Sequence, residues 1–397
     1  MLEKLAIQGG TPVRQKLLPY GRQSIDEADI AAVVAVLRSD WLTTGPNVAG
    51  FERAFAEFVG AKEAVAVNSG TAALHAAYHA LGIGPGDEVI VPAMTFAATA
   101  NAVLYQGGTP VFADVGRDTL LLDPADVAKR ITPRTRAIAA VDYAGQPCDY
   151  DALRALADAH GLALVADACH APGASYHGRA VGTLADLSTF SFHPVKHLTT
   201  AEGGMITTDD AELARRMRSF RNHGITTDHR QREERGSWAY EMVELGYNYR
   251  LSDLQCALGS SQLKKLSGWV ARRQAIARRY AEAFAAGELL TPLRVQAGVS
   301  HAWHLYVIRL NLARLTVDRA AVYAALRAEG IGVNVHYIPV HLHPFYQQRP
   351  GTAPGLCPVA EAAYHEILSL PIFPTMTDDD AESVIRAVGK VLEAFRK

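Results

Sequence analysis

The feature that most constrains this fold is an alternation of short β-type runs with helical patterns between about residues 60 and 210. Seven apolar runs have strand character, and helical periodicity at 71–81 and 150–160 separates some of them. Strands that alternate with helices are typical of a mostly parallel sheet covered on both faces. The sequence therefore predicts an α/β fold with one large sheet. The predicted strands are 64–68, 88–91, 109–113, 136–141, 162–167, 187–192 and 205–207.

A change of pattern near residue 260 indicates a second, smaller unit. A long helical stretch rich in Ala and Arg extends to about residue 286, and a connector containing Gly and Pro follows it. Thr377 precedes three aspartates and is a typical helix start, because its hydroxyl caps the helix and the acids suit the dipole. We expect helices at 25–37 (capped by Ser24), 318–329 and 378–395, and strands at 304–310 and 332–336. We interpret residues 1–40 as an N-terminal arm and helix, 41–260 as a large domain, and 261–397 as a small C-terminal α/β domain that includes the connecting helix.

Charge and composition argue against nucleic-acid and membrane partners and favour a cytoplasmic protein. The formal net charge is −2, from 39 basic and 41 acidic residues, so neither nucleic acid nor a membrane surface is indicated. No apolar run approaches the roughly 20 residues that span a bilayer, and the N-terminus has no apolar signal core. The four cysteines lack CxxC or zinc spacing, which favours reduced thiols and a cytoplasmic location.

The strongest single candidate for chemistry is Lys196, on a turn between a predicted strand and the pair Gly203-Gly204. A lysine on such a turn inside an apolar α/β domain is well placed to form a Schiff base with a carbonyl cofactor. Desolvation lowers the pKa of the amine and leaves it nucleophilic. A solvated surface lysine is the common alternative, and the residues around Lys196 count against it.

A candidate phosphate site precedes this lysine in the chain. The run 64–68 leads directly into Ser69-Gly70-Thr71 and a predicted helix. A helix N-terminus offers unpaired backbone N–H groups, and Gly70 would allow close approach of an anion. Simple capping of the helix explains Ser69 and Thr71 equally well. No GK[ST] follows and no GxGxxG is present, so neither a Walker loop nor a dinucleotide site is predicted.

Three further residues complete a set that suits one cofactor. Asp167 ends a predicted strand, where a carboxylate could keep a pyridine nitrogen protonated or merely cap the next turn. Phe96 follows another strand and could stack on a planar ring or lie in the core. Ser191 is a second phosphate donor or an ordinary strand serine. Together with Lys196 and the cradle at Gly70, they point to pyridoxal 5′-phosphate (PLP).

With these residues in place, the chain resembles the DegT family of nucleotide-sugar aminotransferases over essentially its whole length. The segment around Lys196 is the most specific, and relatives that replace this lysine with histidine are dehydratases. The resemblance implies a PLP-dependent transferase fold of type I, like aspartate aminotransferase. It also implies a homodimer with active sites at the subunit interface. The matching segments are Trp41-Leu42-Thr43-Thr44-Gly45-Pro46, residues 68–74, Asp167-Ala168-Cys169-His170, residues 191–204 and Gly246-Tyr247-Asn248-Tyr249-Arg250.

The resemblance also assigns roles within the site. Lys196 would bind the cofactor and then move the proton, Asp167 would pair with the pyridine nitrogen, and His170 would lie near the phenolic oxygen. The other cofactor contacts it implies are the phosphate ligands Gly70, Thr71 and Ser191, the stacking ring Phe96, and Asn248 from the other subunit.

A narrower resemblance concerns the substrate. Residues 19–26, 141–145 and 335–339 are similar to UDP-sugar C4 transaminases of pseudaminic acid biosynthesis. It implies transfer of an amino group from L-glutamate to C4 of a UDP-linked 4-keto-6-deoxy-N-acetylhexosamine. Enzymes for 4-keto-L-arabinose or D-sugar epimers share most of these motifs and stay an alternative. Arginines suit a diphosphate, although surface ion pairs explain them as well. Candidate substrate residues are Arg22, Thr44, Arg221, Arg250, His336 and Tyr337.

Two other classes of protein could share some of these features. A non-catalytic ligand-binding protein on the same fold would be expected to carry an appended partner domain, yet only about forty residues precede the predicted large domain. A metal enzyme could use His341 and His343, but a lone HxH is usually structural, and no further ligand stands at suitable spacing. We therefore expect a PLP enzyme without a metal.

Overall fold

The computed structural model describes residues 3–227, 232, 236–285 and 287–397. Its centre is a seven-stranded sheet in the order β1-β9-β8-β5-β4-β2-β3. Only β9 runs against the other six strands. The predicted, mostly parallel sheet is thereby confirmed. Its strands are β1 (Glu63–Val67), β2 (Glu88–Pro92), β3 (Thr109–Ala113), β4 (Thr135–Val141), β5 (Ala163–Asp167), β8 (Leu187–Ser191) and β9 (Gly204–Thr208), while β6 (Ser175–Tyr176) and β7 (Arg179–Ala180) lie outside it.

Helices connect the strands and flank the sheet. The first helix begins at Glu27 rather than Ile25, because Asp26 and not Ser24 caps it in a reciprocal capping box with Asp29. The helices up to residue 284 are α1 (Glu27–Leu37), α2 (Pro46–Val59), α3 (Gly70–Ala80), α4 (Ala98–Tyr105), α5 (Pro124–Arg130), α6 (Tyr150–His160), α7 (Ala211–Phe220), α8 (Asp253–Leu263) and α9 (Leu266–Phe284).

The C-terminal part is built around a three-stranded antiparallel sheet in the order β10-β12-β13. Thr377 caps its last helix in a capping box with Asp380, as predicted. The predicted strand at 332–336 is absent, because that segment makes only one isolated bridge, between Asn334 and Ser369. The strands are β10 (Leu290–Pro292), β11 (Val299–Ser300), β12 (Tyr306–Leu310) and β13 (Ile367–Leu370), and the helices are α10 (Arg319–Ala328), α11 (Pro344–Gln347), α12 (Pro358–Glu366) and α13 (Asp378–Ala394).

Short 3-10 helices occur at Ala6–Gln8, Tyr143–Gly145, Leu312–Arg314 and Val340–Leu342. A large apolar core surrounds the seven-stranded sheet, and a second core joins α9, α10, α13 and the C-terminal sheet. Within the residues described, no helix has both the length and the apolar character needed to cross a membrane.

A buried ion pair attaches the N-terminal arm to the C-terminal core. The carboxylate of Glu329 lies 2.9 Å from Nζ of Lys390 and accepts hydrogen bonds from the backbone N–H groups of Ala6 and Val13. The side chain of Glu329 is fully buried and that of Lys390 is 6% exposed. Removing one member of such a pair leaves an uncompensated buried charge, so this contact fixes the arm.

Candidate active site

A cavity of about 590 Å³ opens beside the carboxyl ends of the parallel strands, where ligands bind in open α/β sheets. Nine of the predicted site residues line it, and they come from segments far apart in the sequence. They are Gly70, Thr71, Phe96, Asp167, His170, Ser191, Lys196, His336 and Tyr337.

Lys196 lies on the turn that follows β8. Its backbone N–H donates to the carbonyl of His193, and the carbonyl of Phe192 accepts from both Thr199 Oγ1 and the Thr200 N–H. The Lys196 side chain is half-buried at the cavity wall. This burial lowers the pKa of Lys196, although nearby Cys169 and Asp167 oppose the effect. The amine is therefore more easily freed for nucleophilic and proton-transfer chemistry than an exposed lysine.

The carboxylate of Asp167 is held in place at the end of β5. Its Oδ2 accepts a 2.7 Å hydrogen bond from Oγ1 of Thr99, which itself lies 2.8 Å from Oγ1 of Thr95. Its Oδ1 accepts a longer bond of 3.3 Å from the N–H of Cys169. A carboxylate fixed at the cavity wall can hold a cationic ring nitrogen.

His170 is buried between two rings. Its Nε2 lies 3.0 Å from the hydroxyl of Tyr337, and the His304 ring centroid lies 4.3 Å from its own. Burial lowers the pKa of His170 well below its ordinary value, and the Lys196 cation adds to this effect. The ring is thus neutral. Its Nδ1 is buried without a hydrogen-bond partner in the described part of the chain.

The N-terminus of α3 and two glycines form a small cradle. Ser69 caps the helix by accepting a 3.0 Å hydrogen bond from the N–H of Ala72. A Cβ atom at Gly70 would lie 2.8 Å from Cβ of Ser191, and one at Gly204 would lie 2.4 Å from the carbonyl oxygen of Ser69. Both positions therefore require glycine. Gly70 and Thr71 at the helix end line the cavity, and the unpaired N–H groups of a helix N-terminus suit a phosphate.

Phe96 presents a large aromatic surface at the cavity. Its side chain is 60% exposed, and its ring centroid lies 6.0 Å from that of Tyr337. An apolar ring left open in this way is available to stack on a planar ligand.

These residues fit PLP. The cradle at Gly70 accommodates a phosphate, Asp167 suits a pyridinium nitrogen, and Phe96 offers a stacking face. The unpartnered Nδ1 of His170 needs a polar partner from inside the cavity, which a phenolic oxygen supplies. Lys196 provides the amine that binds a carbonyl carbon.

Several predicted residues lie elsewhere. Thr44, Arg221 and Arg250 line a second cavity of about 510 Å³ beside α2 and α7. There Arg221 pairs with Glu52, and Arg250 Nη1 donates a 2.8 Å hydrogen bond to Oδ1 of Asn222.

Asn248 and Arg22 are both exposed and line neither cavity. Asn248 forms a β-bridge with Asn222, and its carbonyl accepts a 3.4 Å bond from Asn68 Nδ2. A single chain therefore does not bring Asn248 or Arg250 to Lys196.

The structure also adds residues that pattern alone did not reveal. Thr99 and His304 contact Asp167 and His170 from distant segments, and Tyr20 and Cys169 line the Lys196 cavity. In the sequence only the strand-end position of Asp167 indicated that such partners were needed.

The His341 side chain is buried, and its Nε2 lies 2.8 Å from Oε1 of Glu361. Among the described residues no group of three or more His, Cys, Asp or Glu side chains could hold a metal ion.

Comparisons with known proteins show the family to which the chain belongs. The sequence profile of the DegT/DnrJ/EryC1/StrS aminotransferase family matches residues 23–389. The spore coat polysaccharide biosynthesis protein SpsC of Bacillus subtilis is 46% identical over 383 residues, which are 96% of this chain and 98% of SpsC.

Solved structures give the same result. Helicobacter pylori PseC, described as an aminotransferase involved in the biosynthesis of pseudoaminic acid, is 36% identical, with a TM-score of 0.90 over 96% of this chain and all of PseC. The PLP form of the sugar aminotransferase Spr1654 of Streptococcus pneumoniae, a putative assignment in its own description, is 34% identical. Its TM-score is 0.88 over 95% of this chain and 99% of that structure. The chain therefore belongs to the DegT/DnrJ/EryC1/StrS aminotransferase family and is a PLP-dependent sugar aminotransferase.

Proposed function

We propose that this enzyme moves the amino group of L-glutamate to C4 of a UDP-linked 4-keto-6-deoxy-N-acetylhexosamine, with Lys196 as its catalytic residue. The observation that carries the proposal is the convergence of Lys196, Asp167 and the α3 cradle on one cavity. When bound, PLP supplies an electron-accepting ring that stabilises negative charge on the carbon that loses a proton.

Residues of the chain bind the cofactor and move the protons. Lys196 takes the α-proton from the donor and later delivers a proton to C4 of the sugar, and its burial leaves the amine free to do so. Asp167, held by Thr99, keeps the ring nitrogen protonated. The helix N-terminus at Gly70 binds the phosphate with Thr71 and Ser191, and Phe96 covers one face of the ring.

We infer that two copies of the chain complete each site. The described residues that line the Lys196 cavity include no arginine, whereas a nucleotide diphosphate and a dicarboxylate donor both require cations. Exposed apolar side chains precede Asn248, and this favours burial of the segment against a second copy. Such a homodimer would carry Asn248 and Arg250 into the partner's cavity. The exposed side chains are Trp238 at 88%, Tyr240 at 58%, Met242 at 65%, Val243 at 58% and Leu245 at 77%.

The choice of sugar rests on resemblance. Motifs at 19–26, 141–145 and 335–339 and the similarity to PseC support a substrate of the pseudaminic acid type. The greater identity with SpsC, which is named for spore coat polysaccharide, supports another nucleotide-linked keto sugar as the second candidate. Tyr20, Asn334 and His336 also line the cavity and are the residues we expect near the sugar. The four free cysteines support the proposal of a cytoplasmic location.

A substrate panel tests this proposal. Purified enzyme with PLP and glutamate is given UDP-linked 4-keto sugars that differ in C2 substituent, C6 oxidation and ring stereochemistry, and 2-oxoglutarate and the amino sugar are measured. We expect the highest kcat/KM with the 6-deoxy-N-acetylhexosamine. The matched control is Lys196→Ala, which should stay folded and give no turnover. A preference for the 4-keto pentose would replace the proposed sugar, and full activity of Lys196→Ala would overturn the mechanism.

A further inference from the structure

A tyrosine from the C-terminal part of the chain reaches the histidine of the cofactor cavity. The hydroxyl of Tyr337 lies 3.0 Å from Nε2 of His170, although the two residues are 167 positions apart. His170 follows β5 of the large sheet, whereas Tyr337 lies between α10 and α11. The backbone N–H of Tyr337 is itself anchored on Sδ of Met94 at 3.3 Å. The hydroxyl position is therefore fixed by both parts of the fold.

One arrangement of protons satisfies this contact. His170 is 5% exposed and neutral, so its ring carries a single N–H and one lone pair. Among the described residues, His170 is the only hydrogen-bond partner of the Tyr337 hydroxyl. Tyr337 is half-buried, and if Nε2 carried the proton, the hydroxyl proton would have no acceptor among the described residues, which is unfavourable. The hydroxyl therefore donates to Nε2, and the ring proton lies on Nδ1.

The Nδ1–H of His170 is thereby left as an unused donor. No described residue accepts from this buried atom, and the ring lines the PLP cavity. We propose that Tyr337 is a positioning residue that locks His170 in the Nδ1–H form, so that His170 donates a hydrogen bond to the phenolic oxygen of PLP. This inference rests on the proposed roles of Lys196 and His170 in binding the cofactor.

The other charged or titratable groups around His170 do not compete for this role. Lys196, His197 and His336 face its ring, His304 packs on it, and Asp167 lies three residues earlier on the same segment. Burial holds the pKa of His197 and of His304 well below the ordinary value, and lowers that of His336 to about 3. These imidazoles stay neutral from pH 6 upward, so a titration above pH 6 reports on the cofactor.

The test follows the visible absorbance of the PLP-loaded enzyme as a function of pH in the absence of substrate. A donor at Nδ1 stabilises the ionised phenolic oxygen, so Tyr337→Phe should move the titration midpoint upward by about one pH unit, as expected for loss of one hydrogen bond to a charged group. Tyr143→Phe is the matched control, because Tyr143 is buried nearby but donates to the carbonyl of His336. Its midpoint should equal that of the wild type.

A second variant separates a route through His170 from a general disturbance. In the His170→Gln background, Tyr337→Phe should cause no further shift of the titration midpoint. An undiminished shift in that background would overturn the inference, and so would a wild-type midpoint in Tyr337→Phe alone. If Tyr337→Phe loses PLP, the ¹⁵N chemical shifts of the wild-type enzyme labelled at histidine show which nitrogen of His170 carries the proton. A proton on Nδ1 supports the inference, and a proton on Nε2 overturns it. Wild-type enzyme without any lysine-bound PLP absorbance would instead refute the proposed function itself.

Discussion

Oγ1 of Thr99 lies 2.7 Å from Oδ2 of Asp167, and both side chains are buried. Because a carboxylate oxygen only accepts, Thr99 donates this bond, and Thr95 in turn donates to Thr99. We expect Thr99→Val to lower kcat roughly 10-fold, since a hydrogen bond to a charged group contributes about 1.5–3 kcal/mol. Thr95→Val leaves the direct donor in place and should lose less. Equal losses in steady-state assays of the two variants would argue that packing, and not the bond to Asp167, matters.

Gly70 is required by the close approach of α3 and β8. A Cβ there would meet Cβ of Ser191 at 2.8 Å, so Gly70→Ala must push the helix end away from the strand. We expect PLP affinity to fall at least about 10-fold, measured by titration of the cofactor-free protein. Gly50→Ala in α2 is the control, because nothing lies within 4 Å of its Cβ position. That variant should keep its PLP affinity and gain up to about 1 kcal/mol of stability.

The parts of the site that sequence patterns predict are those set by local structure. Asp167 and Gly70 follow from the ends of strands and the start of a helix, and the sheet itself follows from the alternation of runs. Thr99 and His304 could not be predicted, because their contacts join residues that are far apart in the chain and depend on how helices pack. Likewise the segment at 332–336 has strand-like residues, but it pairs with β13 only through the single bridge between Asn334 and Ser369, and the pairing does not continue along the strand. The domain boundaries and the roles of the substrate residues stay predictions.

The buried pair Glu329–Lys390 should matter more than exposed pairs of similar geometry. Glu329→Gln keeps the shape but leaves the Lys390 cation buried without a counter-charge, so the free energy of unfolding should fall by about 3 kcal/mol. Glu288→Gln removes a partner of Arg314 from a pair that is more than half exposed, and should cost less than about 1 kcal/mol. Urea unfolding of both variants measures the difference. A loss below 1 kcal/mol for Glu329→Gln would mean that the arm is held mainly by its apolar contacts.

Stability should fall in mild acid because of buried histidines. Nδ1 of His301 accepts a 2.8 Å bond from the N–H of Trp303, and burial lowers the pKa of His301 to about 3. Between pH 6.5 and 3 the unfolded chain binds a proton at this histidine and the folded protein does not. The free energy of unfolding therefore decreases as pH falls through this window, by up to about 1.4 kcal/mol per pH unit for this one group.

Denaturant unfolding at pH 7 and pH 5 tests this dependence. His301→Gln should show a smaller decrease between the two values than the wild type does. His160→Gln, at an exposed position at the end of α6, should behave like the wild type. An unchanged pH dependence in His301→Gln would exclude His301 as a contributor.

Mixed dimers test whether sites are shared between subunits. Lys196 and Arg250 line different cavities of one chain, so we expect them to act together only across a symmetric interface. Lys196→Ala and Arg250→Ala should each be nearly inactive alone. After the two are unfolded and refolded together, half of the dimers would be mixed, and each mixed dimer would hold one site with both native residues. Activity should then return to about one quarter of the wild-type value, from the two-fold symmetry of such a dimer. If both residues served a site within the same chain, every site in the mixture would lack one of them and no activity would return.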